Sequence, residues 1–316
     1  MATKRVRLWP ALVLSGCVQA LGIESDPQLV DGGAVDPLLE ELPESDRAQE
    51  PWSCLDDGTA TTLSVPPRMA TVRVHACDFL NSCITPVPEL VARVCGRRDI
   101  NCTNPILEDI RGDENGDLEF TLPTGSNGFD GYLELNSPTH DCRDSNVFGD
   151  AVQQLCQLLA PNCERNSNPS ECLVPHYARS LLFFNPPVVA DSVEPIQLPL
   201  LSSVGLPQVV DAAGVALDPD AGNLFLTALD CNGTPAAGVA FNLKDNQGAA
   251  TQLYIDSGAV SDSVLETDES GVGGFVGVPA GFAEVVAYTS DLQVIGEIGV
   301  LAAPYTMTYA ALVPSP

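Results

Sequence analysis

From residue 71 to the C-terminus, apolar positions recur mainly with a period of two, the pattern of strands with one face on a core. Residues 71–76 alternate polar and apolar, and Leu90, Ala92 and Val94 share one face of residues 88–95. Leu118, Phe120 and Leu122 alternate with Glu119 and Thr121, and residues 131–135 come next as another strand. Residues 181–184, 224–229, 238–243, 273–276, 285–288 and 305–309 read the same way. Helical spacing occurs in two places. Phe148, Val152, Leu155, Cys156 and Leu159 form an apolar stripe stopped by Pro161, and residues 207–213 form a shorter run. The pattern predicts a mainly β chain with a short helical insert.

These strands fall into one order twice. Each series reads strand, cysteine, proline-bearing turn, strand, Asp-x-x-Gly turn, strand, proline, strand. Asp113, Gly116 and Pro123 in the first answer to Asp268, Gly271 and Pro279 in the second, with one residue inserted. Glycine at the turn supplies a positive φ that other residues resist. A repeated order of this kind predicts two copies of one β-sandwich module in tandem. We place the first at residues 52–200, with a cysteine-rich helical insert at about 140–175, and the second at residues 201–316.

Thr267-Asp268-x-x-Gly271, followed by Pro279-Ala280-Gly281-Phe282, resembles the closing half of carboxypeptidase regulatory-like domains, which are small transthyretin (prealbumin)-like sandwiches. The Gly238-Val239 turn resembles their opening half. The first copy is less similar, with a longer loop after Pro123 and an insertion at residues 78–85 that carries Cys83. The resemblance implies a prealbumin-like fold and a non-catalytic appendage that assists folding, secretion or binding.

The N-terminus changes the picture by setting a compartment. Lys4, Arg5 and Arg7 precede the apolar residues 8–14, a run that is too short for a membrane span and contains Pro10. Leu14-Ser15-Gly16-Cys17 then resembles the lipobox of bacterial lipoproteins. That resemblance implies removal of residues 1–16 as a signal peptide and lipid attachment at Cys17. The alternative is an ordinary secretory signal cut near Ala20. Residues 17–51 hold nine acids against the single base Arg47, with Pro27, Pro37 and Pro43 interspersed. Like charge and sparse apolar residues predict a disordered acidic tether. A flexible coil of that length spans about 30 Å.

Net charge is -28 over 316 residues, so nucleic acid is excluded as a natural partner and attraction to anionic lipid cannot anchor the protein. Eleven cysteines suit an oxidising envelope compartment, and setting Cys17 aside leaves ten. Nine of these lie between residues 54 and 172, so complete pairing within the chain requires a bridge from Cys231 to that half. Cys95 with Cys102 and Cys77 with Cys83 are the local candidates. Cys54 with Cys231 is the long-range one, and a free or intermolecular Cys231 is its alternative. Cys142, Cys156, Cys163 and Cys172 cluster around the helical insert.

No metal or cofactor is expected, because the cysteines lack zinc-finger spacing and none of the three histidines, His75, His140 and His176, lies in the second module, where an iron site of two tyrosines and two histidines would need them. Asp256-Ser257-Gly258 lacks the second carboxylate of an aspartic-protease site. The sequence Asp113-Glu114-Asn115-Gly116-Asp117 lacks EF-hand spacing and reads as a turn, with weak calcium binding by the acidic surface left open. The reading is a non-enzymatic, lipid-anchored envelope protein, the outer membrane favoured, that displays two sandwiches to an envelope protein or polysaccharide. The alternative is a hydrolase or oxidase with its site in the insert near His140 and His176.

Overall fold

A computed structural model describes residues 51–56, 66–81, 83–143, 150–163, 168, 172–244, 250–256 and 258–314. Cys17, the signal peptide, the tether before residue 51 and Phe148 lie outside the described residues. The chain is mainly β. In order it runs α1 (Ser53–Asp56), β1 (Arg68–Asp78), β2 (Val91–Gly96), β3 (Leu107–Arg111), β4 (Asp117–Thr124), β5 (Gly131–Asn136), β6 (Thr139–Asp141), α2 (Asp150–Leu159), β7 (Leu173–Pro175), β8 (Arg179–Phe183) and β9 (Ile196–Leu200). It continues through α3 (Leu206–Ala212), β10 (Ala221–Ala228), β11 (Val239–Leu243), β12 (Thr251–Asp256), β13 (Ala259–Ser261), β14 (Val272–Pro279), β15 (Gly281–Thr289), β16 (Val294–Ala302) and β17 (Thr306–Leu312).

The predicted alternation is realised in β1 and β4, which pair antiparallel with Val72 opposite Phe120 and Val74 opposite Leu118. Those four side chains are buried, while Asp117, Glu119 and Thr121 between them face water. Strand β9 adds to the other edge of β1 in parallel, giving the sheet β4-β1-β9.

The internal repeat appears in the hydrogen bonding as well as in the order of elements. Strand β1 pairs with β4 as β10 pairs with β14, and β1 is parallel to β9 as β10 is parallel to β17. The pairings β2–β5 and β5–β8 recur as β11–β15 and β15–β16. At the Asp-x-x-Gly turns, Ala76 N–H donates to Gly116 O at 2.9 Å, and Ala228 N–H donates to Gly271 O at 2.8 Å. Val87 N–H then donates to Ala76 O, as Ala236 N–H does to Ala228 O.

The two copies share a sheet. Strand β17 pairs in parallel with β8, Thr308 beside Leu181 and Tyr309 beside Leu182. This joins the strands into one nine-stranded sheet, β13-β12-β14-β10-β17-β8-β5-β2-β3. One face carries Val94, Leu133, Leu135, Leu182, Met307, Tyr309 and Phe225, and packs with the buried side of β4-β1-β9 and with α3. The opposite face carries Tyr132, Leu181, Phe183, Leu224, Leu226 and Leu312, and packs with β11-β15-β16. The two smaller sheets therefore cover opposite faces of one long sheet. Alternation along each strand makes this possible, because successive side chains feed different cores.

The insert forms as the apolar spacing predicts. Helix α2 buries Leu155 and Cys156, and bridges Cys142–Cys156 and Cys163–Cys172 hold the segments around it. Helix α3 starts with Pro207 in its first turn, where a missing N–H costs nothing, and buries Leu206, Val209 and Val210. Among the strands that the sequence pattern did not give are β3, β9 and β16. Pro199 interrupts β9, Gly296 and Gly299 dilute the apolar period of β16, and β3 buries no residue fully.

Candidate functional site: a polar cleft beside Trp52

The site is built where the chain emerges from the acidic segment. Cys54, in α1, is bonded to Cys231 in the loop after β10, with their Cα atoms 5.8 Å apart. Cys231 N–H also donates to Pro51 O at 2.9 Å, so bridge and backbone fix the same few residues. The loop is held by Asp230, whose carboxylate accepts from Asn232 N, Thr234 N and Thr234 Oγ1 at 2.8–3.0 Å. Burial pushes that carboxyl up, but these hydrogen bonds outweigh it and leave it below the ordinary range. Although Trp52 and Leu55 precede the first sandwich in the chain, they pack against the core under β11-β15-β16.

Trp52 and Ser53 form one wall of a cleft of about 450 Å³. Ala237 and Gly238 form another, with Gly238 at φ 73° and its N–H donating to Thr267 O at 2.8 Å. The third is the β15–β16 hairpin loop, which contributes Thr289, Ser290, Asp291 and Gln293. Thr289 shapes that loop. Its N–H donates to Gln293 O at 2.9 Å, its carbonyl accepts from Leu292 N at 2.9 Å, and its hydroxyl accepts from Gln293 N at 3.2 Å. Leu292 takes the left-handed turn position at φ 63°. The cleft is thus one half-buried indole among alcohols, an amide and one carboxylate, held by a disulfide and a tight turn. Sequence reasoning had Cys54 in view but neither Trp52 as a cleft wall nor the hairpin that meets it, since residues 289–293 are remote in the chain.

The remaining candidate residues lie elsewhere in the fold. Cys77 is bonded to Cys83 and Cys95 to Cys102, with Cα separations of 4.7 and 5.5 Å. Cys95 and Cys102 lie near Glu134 in a cluster compact enough for a metal, but their sulfurs are bonded to each other and offer no thiolates. Both carboxylate oxygens of Glu134 are engaged. Arg93 from β2 donates at 3.0 and 3.1 Å, and Arg179 from β8 donates at 3.1 Å. Burial raises the Glu134 carboxyl, and the two guanidiniums more than reverse this, holding it below the ordinary range. Beside it, burial and the negative charge of Glu134 push the Tyr132 phenol up to about 12.

Asp113 makes the turn predicted for it, accepting from Asn115 N and Asp117 N at 2.8 and 2.9 Å. His75, on the outer side of β1, contacts Asp117 at 2.7 Å. His140 and His176 are brought together, their rings stacked with centroids 3.7 Å apart. Burial and the neighbouring imidazole lower the pKa of His140. The adjacent Asp141 is engaged by Arg143, whose hydrogen bonds hold its carboxyl down to about 2. Among the described residues no helix is long and apolar enough to cross a membrane.

No family model and no curated protein matches the chain. Among solved structures it is weakly similar to a streptococcal ancillary pilin, at 14% identity over 78% of this chain and 69% of that one, with a TM-score of 0.21. GBS52, the minor pilin of Streptococcus agalactiae, matches at 13% identity over 78% and 98%, with a TM-score of 0.19. BcpA, the major pilin subunit of Bacillus cereus, matches at 10% identity over 78% and 100%, with a TM-score of 0.18. Likenesses at these scores carry no functional weight.

Proposed function

We propose that this chain is a lipid-anchored envelope protein without catalytic activity, whose two prealbumin-like sandwiches, each of the carboxypeptidase regulatory-like kind, are displayed on an acidic spacer for binding. Cys17 is the anchor at the head of the spacer, residues 17–51, and the envelope polymer or protein they face is met by loops at the sandwich ends. The observation that carries the reading is the Cys54–Cys231 bridge, which fastens the end of the spacer to the folded body. A tether needs such a fixed point, because pull through a flexible segment otherwise frays the first ordered residues. The disulfides also suit an oxidising compartment.

The test is mass spectrometry of the mature N-terminus after expression in a bacterial host, comparing the parent chain with Cys17→Ser. A lipid-modified Cys17 in the membrane fraction, and a Cys17→Ser chain that keeps its leader or becomes soluble, is the expected result. A parent chain that begins after Cys17 and is soluble overturns the anchor. The stacked His140–His176 pair is the one observation that favours a hydrolytic or oxidative reading instead. Asp141, next to His140 in the chain, is paired with Arg143, so a proton relay through it lacks a free carboxylate.

A further inference from the structure

We propose that the Trp52 cleft binds a neutral saccharide, with Trp52 as the surface on which a sugar ring stacks and Ser290, Asp291 and Gln293 as hydrogen-bond partners for its hydroxyls. The inference deepens the display reading, which supplies the envelope polymer, but the cleft's chemistry stands on its own residues.

The volume, about 450 Å³, falls in the range of small-ligand sites, whereas the lining does not have the usual apolar majority. A ligand matched to it has its own hydroxyls and one apolar face. Pyranoses have both: C–H bonds across a ring face, which an indole accepts, and alcohols around the rim. Asp291, Ser290 and Gln293 are exposed, and their side chains make no hydrogen bond or ion pair with other described residues. They have donors and acceptors to spend: a carboxylate accepts at two oxygens, an amide both donates and accepts, and an alcohol does either. The Ser53 hydroxyl, in the same wall, is buried and has no hydrogen-bond partner among the described residues.

Charge narrows the class further. Asp291 is the one charged residue in the lining, and the chain as a whole carries -28, so an anionic polymer is repelled. A small cation would satisfy Asp291 and Trp52, by ion pairing and by the indole face. It would leave Ser290 and Gln293 without partners. A neutral saccharide uses both of them and Asp291.

The molecule carries its own reporter. Trp9, in the leader, and Trp52 are its only tryptophans, so in the full chain with Trp9→Phe all indole emission comes from the cleft. That protein is titrated with maltotriose and triacetylchitotriose as neutral probes, polygalacturonate as the anionic one and choline as the cationic one. The expected result is a saturable change in emission with a neutral probe. Affinity should fall about ten-fold in Asp291→Ala and in Gln293→Ala, the loss of one hydrogen bond, and should be unchanged in Glu119→Ala on the remote, exposed side of β4. Circular dichroism of each variant shows that the fold is kept. The proposal is overturned by no saturable response to either neutral probe, by a response that survives both cleft substitutions, or by a response to choline or polygalacturonate alone. Membrane fractionation separates the two readings. An anchored chain with a silent Trp52 retains display and loses the saccharide, and a soluble chain that binds does the reverse.

Discussion

At Gly116 and Gly271 a methyl group would meet a backbone carbonyl oxygen. A Cβ placed there lies 2.4 Å from Ala76 O in one copy and 2.6 Å from Ala228 O in the other. Both glycines also hold positive φ, 76° and 66°. The carbonyls in question are the acceptors that fix Val87 and Ala236, so neither can move without breaking a second hydrogen bond. Gly116→Ala and Gly271→Ala are each expected to cost about 3 kcal/mol, combining left-handed strain with a backbone clash. Gly233 is the internal comparison. Its φ is 77° but nothing lies within 4 Å of an added Cβ, so Gly233→Ala should cost only about 1 kcal/mol. Urea unfolding of the three variants checks the ranking, and equal losses at all three sites would show that φ alone sets the cost.

Between elements, Glu134 links three strands, in the middle of β5 with Arg93 from β2 and Arg179 from β8 closing over it. Its side chain is 2% exposed, those of the arginines 36% and 31%. Glu134→Gln removes the charge and leaves two guanidiniums facing each other. A loss of about 2–3 kcal/mol is expected, at the low end for a broken buried pair because the arginines are partly screened by water. The sign with pH comes from the lowered carboxyl. Its contribution is complete above the unfolded value, about 4.3, and disappears as pH falls through the lower folded one. Parent and Glu134→Gln stabilities should therefore converge as pH drops below about 4, and a constant gap in urea midpoints down to about pH 2 would exclude this origin. Little of the cluster was legible in the sequence, where Glu134 sits in the run 131–135 and is read only as part of a strand. What makes it buried is arginines 41 and 45 residues away. The repeat was legible because its signals are local, an Asp-x-x-Gly turn and a proline at set intervals. Strand β9, with Pro199, and the glycine-diluted β16 were not, since tertiary pairing rather than apolar period makes them strands. The Trp52 cleft is assembled from three separated segments, and only the neighbouring Cys54 was singled out in the sequence.

For the whole molecule, the decisive contact is β8 against β17. Two sandwiches joined by a linker would unfold separately, and the tandem order read from sequence is compatible with that behaviour. The pairing of Thr306–Tyr309 with Arg179–Leu182 instead runs one sheet through both copies, and each smaller sheet shields the face that the other leaves uncovered. Strand β17 is central, paired with β10 on one side and β8 on the other, so neither half can lose it without exposing a row of backbone donors and acceptors. Residues 52–55 add a covalent link between the chain's beginning and the second copy through Cys54–Cys231. A single unfolding transition is expected in calorimetry, with calorimetric and van't Hoff enthalpies equal. Thr308→Pro, which removes a donor and a rotatable φ from the middle of β17, should abolish folding of both copies together rather than of the second alone. Two resolved transitions in the parent, or a Thr308→Pro chain whose first copy melts at its parental temperature, would mean that the shared sheet does not couple the halves. In that event the sandwiches would move relative to each other, and the cleft near Trp52 would be positioned by the second sandwich and the Cys54–Cys231 bridge alone.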